Sequence, residues 1–477
     1  MRGSEGISET AGAVIVILAT VLVMLLLTYH LGVLGEPAPR LRGALSLRLA
    51  SRGGEIWSFR TQGEIHSSPS TDGERIYFGS RDGRLYAVSL HGQSLWSFPA
   101  RGPISSSPVI WGELVCFGSA EGTVYALERS TGRERWRFPT EGWVVSPPLL
   151  WENLLVVPAC SPERGLLYAL KVEKGEEVWR LSLDFPVFLS LALRENLLYV
   201  GTSGAFEGTL YVIQVERGTI LWRKNFLFPF TSPLAVWGER LYLVRRDAPF
   251  LFCLSAENGD ILWYSYLGSA SYSSPLVEGR RVYVGDEAGV LHCLSMENGE
   301  EIWWRKLGGS LVSRPSLQGG KLYVGSRDGG IYCLDAENGK PEWRFLTGGP
   351  VTSTPLVVGE RLYVGSSDNR LHCLNLGEDL LVMRWRGEEM KEALVLENGR
   401  VEWRNLRLRA NRRRVQTSWA SLNGDPSPGL VSLRDGDLLE LRPSPPLTEG
   451  TFLVAAYAPA DQLLGAWEVR GAASGGG

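Results

Sequence analysis

The stretch from Ser313 to Trp343, SRPSLQGGKLYVGSRDGGIYCLDAENGKPEW, decides the fold of this 477-residue chain. Within it, Gly319-Gly320 precedes the strand-like KLYVGS, an Asp-Gly-Gly turn follows at Asp328, and Asn338-Gly339 leads into the segment that holds Trp343. Asn-Gly and Asp-Gly pairs tolerate the positive φ that two-residue hairpins require. The stretch therefore predicts four short antiparallel strands joined by tight turns.

The same unit recurs along most of the chain with a period near 40 residues. The tryptophan that ends each unit stands at Trp57, Trp96, Trp136, Trp179, Trp222, Trp263, Trp303 and Trp343. The intervals between these tryptophans are 39, 40, 43, 43, 41, 40 and 40 residues, a spacing that chance does not produce. Four strands per unit of this length are typical of a propeller blade.

The number of units predicts how the ring closes. Eight units open with a similar motif, at Ser68, Ser107, Ser146, Leu189, Ser232, Ser274, Ser313 and Ser353. The eighth unit lacks its tryptophan strand, whereas GEIWSF, with Trp57, precedes the first unit without strands of its own. We expect Gly54 to Thr61 to supply the outer strand of the eighth blade, which would cover otherwise exposed edges. The predicted fold is all-β, with an eight-bladed β-propeller over residues 54–376.

This repeat, with its glycine and tryptophan pattern, resembles the quinoprotein-type (PQQ-like) propeller repeat over about two thirds of the chain. Proteins with this repeat include quinone-dependent alcohol dehydrogenases. They also include propellers without a cofactor, such as the scaffold lipoprotein of the bacterial outer-membrane barrel-assembly machine. Fold alone therefore does not decide between enzyme and scaffold.

The residue pattern favours a protein without catalytic, cofactor-binding or metal-binding residues. The quinone dehydrogenases carry an adjacent Cys-Cys pair against the cofactor and usually a calcium ion, and no two cysteines are adjacent in this sequence. The tryptophans recur once per unit, so packing between blades accounts for them. Repeated acidic residues stand at turns, where hairpin capping explains them: Asp72, Asp82, Asp328 and Asp368.

Cysteines and histidines follow the same repeat. Cys253, Cys293, Cys333 and Cys373 occupy a strand position where earlier units have Ala or Val, which predicts small buried side chains. Cys160, in PACSPERG, is the cysteine that we expect to be exposed. His292 and His372 stand where other units have tyrosine, and neither the histidines nor the cysteines show metal-site spacing.

The N-terminal region predicts a membrane anchor. A leader at 1–10 precedes the uncharged run AGAVIVILATVLVMLLLTYHLGVL at 11–34, whose length suits a hydrocarbon layer of about 30 Å. A cleaved signal peptide would have a shorter apolar region of about 7 to 15 residues. Residues 35–53 form a linker that contains a possible first strand of a second domain.

Two observations on orientation disagree. Only Arg2 precedes the predicted span, whereas four arginines follow it before residue 53, which by the positive-inside rule places the bulk of the chain in the cytoplasm. The segment MRGSEGISETAGAVIVILATV, however, resembles the class III signal of archaeal type IV pilins. That resemblance implies cleavage between Gly6 and Ile7 and an extracellular body, although Glu5 stands where the family usually has Lys or Arg.

Beyond residue 376 the period stops. Segments such as LLVMRW, LLELR and TFLVAAYA predict a small C-terminal β-sandwich over 377–470, followed by a flexible tail at 471–477. The phrase DGDLLELRPSPPLTEGTFLVAAYAPADQLLGAWEVR resembles the closing strands of archaeal pilin head domains. We expect the propeller to interrupt this head, with Ala44 to Arg52 as its first strand, resuming near Leu380. The arginine-rich run from Arg404 to Arg414 is a solvated strand face or an anionic contact.

The charge composition argues against one further class of partner. With 49 basic and 52 acidic side chains the formal charge is -3, which argues against a nucleic-acid partner. The leading hypothesis is a single-pass, pilin-like protein of the cell membrane with a non-catalytic propeller outside the cell. Its expected partners are the membrane and either other proteins, with pilins as candidates, or a surface polymer. The alternatives are a quinone-dependent dehydrogenase of the cell surface and an inward-facing scaffold.

Overall fold

Eight four-stranded antiparallel sheets make up most of the described chain. The computed structural model describes residues 43–50 and 52–377, apart from 162–163, 187–190, 231–233 and 246–247, together with seven strands between 380 and 470. The described part contains strands and turns and no helix. The predicted eight-bladed all-β propeller is confirmed.

Each blade runs from its first strand to its fourth in sequence order, except the last. The strands that precede blade 1 are β1 (Gly43–Ala50) and β2 (Glu55–Arg60). Blades 1 and 2 comprise β3 (Ser70–Thr71), β4 (Arg75–Gly79), β5 (Arg84–Ser89), β6 (Ser94–Pro99), β7 (Val109–Trp111), β8 (Leu114–Ser119), β9 (Thr123–Glu128) and β10 (Glu134–Pro139). Blades 3 and 4 comprise β11 (Leu149–Trp151), β12 (Leu154–Cys160), β13 (Gly165–Lys171), β14 (Glu177–Leu183), β15 (Ala192–Arg194), β16 (Leu197–Ser203), β17 (Gly208–Gln214) and β18 (Thr219–Phe226). Blades 5 and 6 comprise β19 (Ala235–Trp237), β20 (Arg240–Val244), β21 (Phe250–Ser255), β22 (Ile261–Tyr266), β23 (Leu276–Glu278), β24 (Arg281–Gly285), β25 (Val290–Ser295) and β26 (Glu301–Lys306). Blades 7 and 8 comprise β27 (Ser316–Gln318), β28 (Lys321–Gly325), β29 (Gly330–Asp335), β30 (Pro341–Leu346), β31 (Leu356–Val358), β32 (Arg361–Ser366) and β33 (Arg370–Asn375).

Strand β2 completes blade 8. It pairs antiparallel with β33, with Trp57 opposite Cys373 and Arg60 opposite Arg370. The backbone N–H of Gly53 also donates to the carbonyl of Asn375 over 2.7 Å. The expectation that a segment before the first repeat closes the ring is confirmed.

A β-bulge precedes the repeat tryptophan in the fourth strand of every blade. The register shifts between Glu134 and Trp136 in blade 2, for example, and between Glu55 and Trp57 in the closing strand. A bulge adds one residue to one strand and increases its local twist, which redirects the side chain that follows. The bulge thus turns each indole towards the neighbouring blade.

Each repeat tryptophan lies against a glycine of the next blade. A Cβ added to Gly339 would come within 2.6 Å of the Trp303 ring, and one added to Gly53 within 2.6 Å of Trp343. The glycine stands four residues before the next tryptophan, so every blade contributes a ring on one side and a glycine on the other. Counterparts of Gly339 and Gly53 are Gly92, Gly132, Gly175, Gly218, Gly259 and Gly299, against Trp57, Trp96, Trp136, Trp179, Trp222 and Trp263.

The hydrophobic core is divided into clusters that lie between blades. One cluster joins Tyr283 of blade 6 to Leu322 of blade 7, and another joins Tyr323 of blade 7 to Leu374 of blade 8. Because each sheet buries both faces against its neighbours, the second and third strands are apolar almost throughout. Interblade packing therefore provides most of the apolar burial in the ring.

The residues outside the propeller form a separate unit of residues 1–52 and 377–477. Its described strands beyond β1 are β34 (Leu380–Gly387), β35 (Glu392–Leu396), β36 (Trp419–Leu422), β37 (Asp425–Pro426), β38 (Leu438–Arg442), β39 (Thr451–Ala458) and β40 (Gln462–Arg470). They form a five-stranded sheet of order β1-β34-β38-β36-β37 and a three-stranded sheet of order β35-β39-β40. Strand β1 pairs antiparallel with β34, the pairing that an interrupted domain requires. The predicted leader, membrane span and tail lie outside the described residues.

A buried histidine links the closing strand to blade 8. His372 lies between two carboxylates, with Nδ1 2.8 Å from Glu55 of β2 and Nε2 2.9 Å from Asp368. Burial disfavours the imidazolium, but hydrogen bonds and charge from Asp368 and Glu55 outweigh it and raise the pKa of His372 above 6.5. The pKa of Asp368 is lowered, because its bonds to His372 and to backbone outweigh the opposing effect of burial. The closing strand is therefore held partly by an ionic contact.

We expect Gly339→Ala to destabilise the propeller more than Gly359→Ala does. Both glycines have positive φ, so each substitution costs roughly 1–2 kcal/mol of backbone strain. Only the methyl group at residue 339 would also meet the Trp303 ring, since nothing lies within 4 Å of a Cβ at residue 359. That overlap adds roughly 1–3 kcal/mol. Urea unfolding of both variants measures the difference, and equal losses would contradict the role of the indole contact.

We expect His372→Gln to lower stability in a pH-dependent way. The pKa of His372 is raised in the folded chain, so the charged imidazolium stabilises the folded state. This stabilisation is fully present below about pH 6.5, and it is lost as the pH rises through the folded pKa. The difference in stability between wild type and variant should therefore be largest below about pH 6.5 and should shrink as the pH rises above that value.

Hydrogen exchange locates the effect of this substitution. At the lower pH, His372→Gln should speed exchange of the β2 amides. The control His292→Gln should leave β2 unchanged, because His292 contacts Glu301 and Asp286 within blade 6. A pH-independent gap would refute the ionic link.

Candidate functional site: the front face of the propeller

Two groups of loops lie at the same end of the blades. The loop that leads from one blade into the first strand of the next, and the turn between second and third strands, meet at one end because the strands alternate in direction. In blade 1 these are residues 61–69 and 80–83. We call this end the front face. The first strands of neighbouring blades contact one another, so they surround the axis.

A ring of small polar residues lies at the start of these first strands. The backbone N–H of Thr354 in blade 8 donates to Ser68 Oγ over 2.9 Å, and the N–H of Ser68 donates to Ser107 Oγ over 2.9 Å. Ser274 and Arg314 occupy the same repeat position in blades 6 and 7. We call these five residues the axial ring. The counterpart in blade 3 is Pro147, and those in blades 4 and 5 lie outside the described residues.

Arg314 is the charged member of the axial ring. Its side chain is accessible to solvent, and within the described residues it has no hydrogen bond and no ion pair. Surrounding protein atoms lower the pKa of its guanidinium below the usual 12.5, with no acidic neighbour to offset them. An arginine remains charged under such conditions. The axial ring thus carries a cation without a protein counter-ion in this part of the chain.

The nearby acid on the front face is already engaged. Glu64 accepts from Arg81 over 3.0 Å and lies 3.0 Å from Nε2 of His66. Nδ1 of His66 lies 2.7 Å from Thr352 Oγ1 in blade 8. Hydrogen bonds and charge from His66 and Arg81 lower the pKa of Glu64. The Glu64 carboxylate is therefore already engaged by Arg81 and His66.

A second feature of the front face is apolar. Phe206, in the turn between β16 and β17, is 87% exposed, and Leu227, directly after β18, is 93% exposed. Tyr264 and Tyr266 of β22 are 63% and 64% exposed, and Tyr266 ends its strand at the front face. We call these four residues, on blades 4 and 5, the apolar corner.

Blade 5 departs from the repeat at this corner. It reads VRRDAPFLFC (244–253) where blade 7 reads GSRDGGIYC (325–333). Phe250 lies 5.9 Å from Tyr264 and 5.4 Å from Tyr266 between ring centroids, and Phe252 stacks on Phe228 at 4.9 Å. In blade 7, by contrast, Arg344 stands at the position of Tyr264 and covers a tyrosine ring. Aromatic residues of blade 5 thus replace the charged surface that blade 7 has at this position.

The repeated turn acids behave as the sequence predicts. Asp328 Oδ1 accepts the N–H of Gly330 over 2.8 Å, and its Oδ2 accepts the hydroxyl of Tyr332 over 2.7 Å. Asp82 and Asp368 make the corresponding turn contacts. The prediction that these aspartates cap hairpin turns is confirmed.

All six cysteines are free and buried. The predicted burial of the four repeat cysteines is confirmed, whereas the predicted exposure of Cys160 is wrong. Strand β12 continues through Cys160, which bridges Trp143, so the residue is only 1% exposed. Burial raises the pKa of Cys116 and of Cys293 to about 12. These two thiols therefore lack the thiolate that cysteine chemistry requires.

The predicted site residues fall into two groups. The eight repeat tryptophans lie between blades rather than at the front face, and Gly6 and Ile7 lie outside the described residues. Within the described residues, no helix has the length and apolarity needed to cross a membrane. The predicted span at 11–34 lies outside that part.

Sequence reasoning missed the axial ring and the apolar corner. Arg314 could have been found as the basic residue in a motif that otherwise carries serine, threonine or proline. Phe206 and Leu227 gave no comparable signal, since the exposure of an apolar loop residue depends on what packs over it.

These observations define the class of the protein as an eight-bladed propeller of PQQ-like repeats. Four stretches of the chain, residues 42–109, 81–205, 206–309 and 287–404, match the family model described as outer membrane protein assembly factor BamB. The chain belongs to this family. A search of the curated proteins finds no match.

Solved structures with similar folds include both scaffolds and enzymes. BamB from Moraxella catarrhalis is 18% identical with a TM-score of 0.57, and the alignment covers 67% of this chain and 99% of that one. Quinohemoprotein alcohol dehydrogenase from Comamonas testosteroni is 14% identical with a TM-score of 0.57, covering 69% and 76%. A europium-containing methanol dehydrogenase is 14% identical with a TM-score of 0.55, covering 70% and 84%. Identities this low establish the fold alone.

The described residues do not fit the calcium ion that usually accompanies the quinone in such enzymes. Calcium takes several carboxylate and carbonyl oxygens. No group of three acidic, histidine or cysteine side chains in the described ranges could hold a metal. The axial ring supplies hydroxyls and a guanidinium instead, and a cation would be repelled by Arg314.

We expect the six thiols to resist a thiol reagent in the folded protein. Burial removes both access and thiolate character, as the raised pKa of Cys116 and of Cys160 indicates. Ellman's reagent at neutral pH should label none of them quickly, and all six after denaturation. Rapid labelling of one thiol in native protein would show a reactive cysteine and contradict this expectation.

Proposed function

We propose that this protein is a non-catalytic, protein-binding scaffold at the cell membrane, with the apolar corner as its main contact surface. Large exposed apolar groups that lie together mark interaction sites on soluble domains. Aromatic residues are also enriched at the centres of protein interfaces. The observation that carries the proposal is the exposure of Phe206, Leu227, Tyr264 and Tyr266 on the neighbouring blades 4 and 5.

The family relation supports the proposal. The model that matches residues 42–404 is named for an assembly factor. The repeat tryptophans, which would be candidates for stacking on a redox cofactor, lie against interblade glycines. The chemistry of the axial ring also gives no support to a calcium-dependent dehydrogenase.

We further propose that the uncharged run at 11–34 anchors the chain as a single-pass membrane protein with the propeller outside the cell. The length of the run and the pilin-like leader around Gly6 support this arrangement. Pilins or a surface polymer are then candidate partners. N-terminal sequencing that begins at Ile7, with propeller fragments released by protease from intact cells, would support it. An intact Met1 with a protease-resistant propeller would favour the inward-facing scaffold.

We expect substitutions in the apolar corner to abolish partner contacts without unfolding the propeller. A photo-crosslinking amino acid at Tyr266, in cells that express the full chain, should capture a discrete partner. Adding Phe206→Asp and Leu227→Asp should reduce capture at least about tenfold, because carboxylates oppose desolvation of the interface.

The matched control is Leu346→Asp. Leu346 is 58% exposed and ends the fourth strand of blade 7, the position that Tyr266 holds in blade 5. This variant should leave capture unchanged. Equal loss in the control, or capture that survives the double substitution, would exclude the apolar corner as the contact. Separately, alcohol-dependent dye reduction by protein incubated with the quinone and calcium would establish the dehydrogenase instead.

A further inference from the structure

The hydroxyls of the axial ring have hydrogens left to donate. Ser68 and Ser107 each use Oγ to accept a backbone N–H from the preceding blade, so their O–H groups remain free for another partner. Within the described residues, Ser68, Ser107 and Thr354 have no acceptor for that hydrogen. The ring therefore has hydroxyl hydrogens available for a further partner in three successive blades around the axis.

Arg314 extends this set of donors to a fourth blade. Blades 7 and 8 are joined at the axis, where Ser316 Oγ donates to the carbonyl of Pro355. Arg314 thus neighbours Thr354 in the ring. A guanidinium has five N–H donors in a rigid fork and no acceptor. Donors alone, together with one positive charge, select an anion.

No protein carboxylate in the described chain fills this role. Glu64, on the front face, is held by Arg81 and His66. Within the described residues, Arg314 has no ion pair. An external anion would supply the missing charge and accept from the ring hydroxyls.

We propose that the axial ring binds a carboxylate, with Arg314 as the ion-pair partner and the hydroxyls of Thr354, Ser68 and Ser107 as hydrogen-bond donors. The two oxygens of a carboxylate match the guanidinium fork, which makes this pair strong and directional. The carboxylate is either a free small acid or an acidic side chain of a protein that approaches the front face.

Two probes distinguish these sources. Acetate represents the free acid, and hexaglutamate with blocked ends represents the acidic side chain. Acetate labelled with ¹³C is followed by NMR line broadening at constant ionic strength with chloride as balance, and hexaglutamate by calorimetry on the full chain. Binding of acetate alone indicates a small-molecule ligand, whereas much tighter binding of the peptide indicates a protein ligand.

The variants are chosen to separate binding from folding. Arg314→Gln should weaken binding of whichever probe binds at least about tenfold, because the ion pair is lost. Thr354→Val keeps shape but removes one hydroxyl, and should weaken binding about fivefold. Arg101→Gln removes an equal charge from an exposed front-face loop and should leave binding unchanged.

Three results would overturn the proposal. These are equal binding by wild type and Arg314→Gln, an equal loss in Arg101→Gln, and binding of inorganic phosphate but neither carboxylate. Because Phe206 and Leu227 are unaltered here, loss of carboxylate binding leaves the proposed scaffold function to be judged by its own crosslinks.

Discussion

The contact between an indole ring and a glycine of the next blade is the interaction on which this fold depends. A ring of eight sheets has no central core, so its stability comes from the surfaces between sheets. The bulge before Trp303 directs the indole towards the next blade, and Gly339 offers a flat surface there that any side chain would obstruct. Tryptophan Nε1 donors add hydrogen bonds at several interfaces, as from Trp136 to the carbonyl of Val172 over 2.7 Å. Because each blade supplies both halves of the contact, one short motif repeated eight times is sufficient to build the ring.

This use of the repeat residues limits where function can lie. The tryptophans, the turn acids and the strand cysteines are all taken up by packing and capping, so chemistry or recognition must come from positions that vary between blades. Arg314 is such a position, since it interrupts a series of small residues around the axis. The aromatic substitution of blade 5 around Phe250 is another. Arg314 and the aromatic residues of blade 5 lie on turns or strand ends whose sequence varies between blades. Substitutions at such positions leave the contacts between blades intact.

Closure of the ring has a different physical basis from the rest of it. Within a blade, consecutive strands are tethered by short turns, whereas β2 reaches β33 from the other end of the propeller sequence. The closing strand combines the ladder to β33, the stack of Trp343 on Gly53 and the contact of His372 with Glu55. The histidine takes a position that tyrosine holds in other blades, which couples closure to pH through a group absent from most interfaces. His292 repeats the arrangement in blade 6, so acid–histidine–acid contacts are a variant of the tyrosine–aspartate contact rather than a metal site.

The sequence by itself determined the blade number, the strand order and the closing strand, because glycine, tryptophan and turn motifs act locally and recur at a fixed interval. It also predicted buried cysteines from their repeat position. It failed at Cys160, because strand β12 continues through Pro158 to Cys160, residues of the segment PACSPERG that the sequence suggests as a loop. Tertiary structure alone decided which apolar side chains stay uncovered, such as Phe206 and Leu227, and which hydroxyls around the axis accept a backbone N–H from the preceding blade, such as those of Ser68 and Ser107. These features depend on residues about 40 positions apart meeting around an axis. Periodicity predicts that such residues are equivalent, but the distance between them and the solvent they meet follow only from closing the ring.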